Sequence, residues 1–159
     1  MLTEKLPIYQ SAFELSKYVY TCVKRFEKTA RIMVGERMVE VSLQMLDSIL
    51  NANSDFSKER IEHLNKFKTQ VERMKTLCRF CTEMKITNNK QSSQLAFLLS
   101  NVGKQLSGWR KSTIDKMNNR ENTNVTEDVE KIEEKSYADF IASMNDLANV
   151  AETLIIKDN

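Results

Sequence analysis

The sequence predicts an all-α protein of four amphipathic helices followed by a fifth, acidic one. Three observations carry that prediction. One proline and three glycines in 159 residues leave little material for tight turns. Met, Leu, Lys, Glu and Gln, which lose little rotamer freedom in a helix, outweigh any β-type pattern. Apolar residues recur at three- and four-residue spacing rather than alternating. A chain of this length holds one domain with a sizeable core.

The first helix is expected from about Pro7, a good first helical residue, to about Phe26. Its stripe is Ile8, Ala12, Leu15, Val19, Cys22 and Phe26. Tyr9, Tyr18 and Tyr20 lie off that stripe, as rim packing with the hydroxyl in water or as a subunit or nucleic-acid contact. Glu27, Lys28 and Thr29 form a short connection.

The second helix is expected over about Thr29 to Ala52, with Ile32, Met38, Val39, Leu43, Leu46, Ile49 and Leu50 apolar. Val34, Val41 and Met45 fall outside the narrow stripe, so this helix buries more than one face. It is either the central helix of the bundle or part of a subunit interface. Asn51 to Asp55 end it in turn chemistry.

The third helix runs from about Ser57 to Met84 on a stripe of Ile61, Leu64, Phe67, Val71, Met74, Cys78 and Cys81. Lys58, Arg60, Lys66, Lys68, Arg73, Lys75, Arg79 and Lys85 crowd its solvent side. The fourth is expected from about Asn89 to Lys116, with Asn88 and Asn89 as N-cap candidates. Leu95, Leu98 or Leu99, Val102, Leu106 and Trp109 form its stripe. Gly103 and Gly108 interrupt it, which suggests close backbone approach by a neighbour, or a bend. No other stretch combines two glycines, the only tryptophan and a basic cluster. Residues 118–124 read as a polar linker, and a last amphipathic helix over about 126–156 carries Val129, Ile132, Tyr137, Phe140, Met144, Leu147, Ala151 and Leu154.

The net charge of +2 hides an asymmetry. Residues 1–57 hold 7 Lys/Arg and 7 Asp/Glu; residues 58–120 hold 14 and 5; residues 121–159 hold 3 and 10. A basic middle beside an acidic end is a statement about partners. Either the acidic end covers the basic part, or the basic part meets an external anion.

Catalytic constellations are not evident. The only histidine, His63, sits at a polar position of the third helix. Cys78-Arg-Phe-Cys81 lacks a second Cys or His pair for zinc and falls on the apolar stripe rather than at an exposed helix N-terminus. It is read as packing. Neither an enzyme, a metal nor a cofactor is expected. Three cysteines on apolar faces, no apolar run near the ~20 residues of a membrane span, and a start unlike a signal peptide give a cytoplasmic expectation. The positive signal is phosphate binding by Arg73, Lys75, Arg79, Lys104, Arg110 and Lys111, with Trp109 as core or base platform.

The segments Leu6-Pro-Ile-Tyr9, Arg25-Phe26, Arg31 and Gly35-Glu-Arg-Met38 resemble the four-helix-bundle family of intervening-sequence and retroelement accessory proteins. Asn89-Lys-Gln91 and Val102-Gly-Lys-Gln-Leu-Ser-Gly-Trp109-Arg-Lys-Ser112 are similar to its more specific branch, the accessory variability determinant proteins of diversity-generating retroelements. The resemblance spans about residues 6–112. Phe26-Glu-Lys28 stands where the family commonly has Phe-Pro-Lys, which makes that connection less stiff. The resemblance implies an antiparallel up-down four-helix bundle, here over 1–117. A linker at 118–125 and the additional acidic C-terminal helix at 126–156 follow it. It further implies a ring-like homopentamer, a reverse transcriptase partner, RNA or DNA binding, and no catalysis. The alternative is a protein-interaction module whose basic face docks acidic helices.

Overall fold

In the computed structural model the backbone is described for residues 2–56 and 58–157. Side-chain surroundings are described for those residues up to 121 and for 134, 135, 138, 139, 141, 142 and 144. The described chain is all-helical, without a strand. A short turn at Thr3–Lys5 precedes α1, Pro7–Lys24. The second helix, α2, joins Lys28–Ala30, a π-helical Arg31–Gly35 and Glu36–Ser54. Then come α3, Lys58–Glu83, and α4, Asn89–Lys157. The chain divides into two compact units, Met1–Asp115 and Lys116–Asn159.

In the first unit all four helices contribute to one core. Leu15 and Val19 of α1, Met38 and Ile49 of α2, Phe67 and Met74 of α3, and Leu95 and Val102 of α4 are fully buried in it. Pro7 occupies the first turn of α1, and Ile8, Ala12, Leu15, Val19 and Cys22 of its expected stripe are buried; the helix ends at Lys24, so Phe26, the last expected member, is buried just beyond it. Its far end is closed by Arg31, whose Nη2 donates to the carbonyls of Lys24 (3.1 Å) and Phe26 (3.0 Å).

Ser16 and Ser42 meet between α1 and α2, where the Ser16 hydroxyl donates to the Ser42 carbonyl at 3.2 Å. Near the other end of this contact, a Cβ added to Gly35 would lie 2.7 Å from Val23 Cγ1. Gly35 is therefore the glycine that close helix approach requires, and it ends the π-helical turn. Gly103 and Gly108 have no such neighbour: nothing lies within 4 Å of a Cβ built on either. Of the two alternatives expected here, close approach or a bend, the close approach is absent among the described residues.

The inward face of α2 also differs from the expected stripe. Val34, Met38, Val41, Met45, Leu46, Ile49 and Ala52 are buried, whereas Ile32, Leu43 and Leu50 are exposed. Two apolar faces lie on one helix, and only contact with α1 and α3 decides which turns inward. Ser48 Oγ donates to Gln70 Oε1 at 2.9 Å, and Cys81 Sγ lies 3.6 Å from Met38 Sδ, which ties α2 to α3.

The turn into α3 is held by Arg60, whose Nε donates to the Ala52 and Asp55 carbonyls, each at 2.9 Å. The end of α3 is a Schellman closure. Lys85 adopts φ 55°, its N–H bonds the Thr82 carbonyl at 3.1 Å, and the Ile86 N–H bonds the Cys81 carbonyl at 2.8 Å. Then Asn88 and Gln91 form a reciprocal capping box that starts α4: the Gln91 N–H donates to Asn88 Oδ1 (2.8 Å) and the Asn88 N–H to Gln91 Oε1 (3.0 Å).

Residues 118–125, expected as a linker, are helical backbone within α4. Of the expected apolar stripe beyond them, only Met144 falls among the described side chains, and it is exposed; the other members lie outside the described residues. No helix among the described residues is long and apolar enough to cross a membrane.

A cationic groove between α3 and α4

The site grows from two helix flanks. On α3, Lys68, Lys75 and Arg79 recur at seven- and four-residue spacing, so they stand on one side of the helix. On α4, Lys104 and Lys111 are two turns apart, with Arg110 beside them. All six line one open groove of about 1220 Å³ between the two helices. Its floor is apolar: Val71, Leu99, Leu106 and Ile114. Its α4 wall is small: Ser92, Ala96, Ser100, Gly103 and Ser107. Gly103 thus leaves room in the groove rather than admitting a packed backbone.

Two of the α3 cations are matched on their own helix. Lys75 Nζ lies 2.8 Å from Glu72 Oε1, and Arg79 Nε lies 2.7 Å from Glu83 Oε1. Such exposed pairs are weak and exchange readily for another anion. Arg110 Nε donates to Asn65 Oδ1 at 2.9 Å, which orients its guanidinium across the groove mouth from α4 to α3. Among the described residues no carboxylate lies within 4.0 Å of Lys68, Lys104 or Lys111. The groove therefore carries six cations against Glu72 and Glu83.

Five of the six residues expected from charge alone converge here: Lys75, Arg79, Lys104, Arg110 and Lys111. Arg73 does not. It lines a second, smaller groove of about 700 Å³ on the opposite flank of α3, with Arg37, Glu40, Gln44 and Thr76. Lys68 was missed as a site residue, although its spacing of seven from Lys75 was a usable signal.

The remaining candidates separate from the site. Trp109 is half-buried and packs against the core. His63 Nε2 pairs with Asp55 Oδ2 at 2.8 Å, beside the α2–α3 turn. Cys78 borders the groove, but burial, with smaller contributions from Cys81 and Cys22, pushes its thiol up to about 12. Burial likewise raises Cys81 to about 11. Both stay protonated near neutral pH, the state of buried packing thiols. No group of three or more metal-ligating side chains occurs among the described residues.

A second surface is apolar. On α2, Met33, Leu43 and Leu50 face outward, and on α1 the exposed Phe13 stacks on Tyr9 with ring centroids 6.2 Å apart. Lys17 Nζ sits 5.5 Å over the Phe13 ring, and Lys24 Nζ 5.9 Å over the exposed Tyr20. Tyr9 and Tyr18 are half-buried against the core rim, as expected for off-stripe tyrosines.

Taken together, these features define a helical protein with a cationic groove between α3 and α4. A scan of protein-family models matches residues 6–113 to the family described as bAvd-like. The chain belongs to that family, which is one of accessory variability determinants. Residues 114–159 lie beyond the match. No curated protein matches the chain.

Proposed function

We propose that this chain is a non-catalytic accessory subunit of a diversity-generating retroelement. It binds nucleic acid and assists a reverse transcriptase in the mutagenic copying of template RNA into cDNA. The observation that carries the proposal is the convergence of five charge-selected residues, from two helices, on one groove in a bAvd-like chain. Phosphates bind such a surface by releasing counterions, without base readout. Arg73 on the neighbouring groove extends the cationic surface around α3.

The wider reading includes an antiparallel up-down bundle over 1–117, a cytoplasmic location, and assembly with further copies, five in number. Paired contacts support the topology. Thr3 reaches Asn53 near the far end of α2, and Ser16 reaches Ser42. Thr82 reaches Ser92, and Asn65 reaches Arg110. The outward Met33, Leu43 and Leu50 support self-association, because large apolar side chains grouped on one helix favour a protein contact.

The test is binding of full-length protein to a structured RNA and to duplex DNA over a salt series. The expected result is a steep log–log salt dependence. It should be flattened by about one unit for each phosphate contact removed in Lys75→Gln, Arg79→Gln, Lys104→Gln and Lys111→Gln. Equal binding by the fourfold variant rejects the groove as the nucleic-acid surface. Absence of binding at low salt rejects the nucleic-acid function.

A further inference from the structure

The groove has properties that phosphate binding does not call for. Phosphate contacts need cations at a surface. They do not need an apolar floor of Val71, Leu99 and Leu106, nor a wall of small residues about four turns long, from Ser92 to Ser107. An apolar floor between charged rims is the geometry that receives the apolar face of an amphipathic helix. Small side chains on one wall let such a helix approach closely, as ridges entering grooves do.

The dimensions agree. From Ser92 to Ile114 the α4 wall runs about 33 Å, at 1.5 Å per residue. A groove of that length is long enough to seat about six turns of helix. The charge also selects the occupant. Six cations against two carboxylates leave the groove at +4, so it favours an acidic helix over a basic one.

A segment of that chemistry is present in the sequence. Residues 121–159 hold 10 Asp/Glu and 3 Lys/Arg, a net of −7. Apolar residues recur there at helical spacing from Val129 to Leu154, about 38 Å of helix. The two large apolar side chains described in this segment, Ile141 and Met144, are three residues apart and both exposed. Residues three apart share one side of a helix, so these two stand together on an exposed flank.

We infer that the α3–α4 groove of one copy receives the acidic segment 126–156 of a second copy. The source is a second copy, since the outward apolar residues of α2 already favour contact between copies. Electrostatics set the register along the groove and the apolar residues provide the affinity. The inference rests on the groove and the segment, not on nucleic-acid binding. Where nucleic acid uses the same cations, the two ligands compete, and the segment becomes a built-in mask of the site.

The experiment uses full-length, nuclease-treated protein carrying a p-benzoylphenylalanine photo-cross-linker at Ser93 in one sample and Ser107 in another. Natural-abundance and nitrogen-15 protein are mixed before irradiation, and cross-linked peptides are read by mass spectrometry. The expected result is mixed-label cross-links from both positions into 126–156. Adding Lys104→Glu and Lys111→Glu is expected to lower their yield about tenfold. Cross-links of a single label only, cross-links to any other segment, or none overturn the inference. So does a yield unchanged by the charge reversals. RNA binding is measured on the same samples. Binding without these cross-links removes the inference and leaves the proposed function; cross-links without binding do the opposite.

Discussion

The α1–α2 and α3–α4 halves of the bundle use the same small residues to opposite ends. Between α1 and α2, Gly35, Ser16 and Ser42 close the gap: a methyl group at Gly35 meets Val23 Cγ1 at 2.7 Å. Between α3 and α4, Gly103, Ser100 and Ser107 keep a gap open, and a methyl group at Gly103 meets nothing within 4 Å. One pair of helices is sealed, and its exposed apolar surface faces outward. The other pair is parted along one flank and lined with charge. The difference teaches that a glycine in a helix signals a demand for space without saying whether a neighbour fills it.

The sharpest way to break this comparison is to add one carbon to each glycine. In a helix interior alanine is favoured over glycine by roughly 1 kcal/mol. At Gly35 that gain is outweighed, because Val23 is β-branched and stiff and the overpacking costs about 1–3 kcal/mol. Gly35→Ala is expected to destabilise by up to about 2 kcal/mol net, read as a lower urea midpoint with unchanged slope. An unchanged or higher midpoint removes the claim of close packing there. At Gly103 nothing opposes the gain, so Gly103→Ala is expected to stabilise by up to about 1 kcal/mol while RNA binding stays within twofold. A destabilised Gly103→Ala means that the groove is closed in solution.

The two connections extend the contrast. The α1–α2 turn is closed by a side chain, Arg31, whereas the α3–α4 turn is closed by backbone, with Lys85 at φ 55°. A lysine in that region bears a Cβ penalty that glycine escapes. Lys85→Gly is expected to stabilise by about 0.5–1 kcal/mol, because the Schellman bonds from Lys85 and Ile86 keep the backbone fixed. A loss of stability on this substitution shows instead that the Lys85 stem packs on the bundle.

The same contrast explains what the sequence could and could not convey. Local chemistry set the helix ends: Pro7 begins α1, and Asn88 with Gln91 begins α4. The stripes of α1, α3 and α4 were legible because each has one apolar face. The inward face of α2 was not, since Val41 and Met45 compete with Leu43 and Leu50 and only tertiary contact resolves them. The cations were legible singly, but their convergence depends on how α3 meets α4, a long-range matter. Arg73 shows the limit: two residues from Lys75 on one helix, it turns to another groove. Residues 118–125 look like a linker because they are polar, yet polarity alone does not break a helix that lacks proline and glycine.

The smallest expected effect concerns two thiols of α3, of which Cys78 borders the groove, and it vanishes near neutral pH. Burial raises Cys78 to about 12 and Cys81 to about 11, above the ordinary thiol value. The folded state therefore keeps protons that the unfolded chain releases once the pH passes about 8.5. This contribution to stability is fully present below that pH and is lost progressively up to the folded values of 11 to 12. Replacing the thiol removes the linkage without removing the groove. Urea unfolding at about pH 8 and about pH 10 is expected to show a larger fall for the natural chain than for Cys78→Ala. Equal falls mean that the Cys78 thiol ionises with solvent access from the open side of the groove. The apolar floor there would then be wetter than its lining residues imply, and the case for a helix seated on it would weaken in proportion.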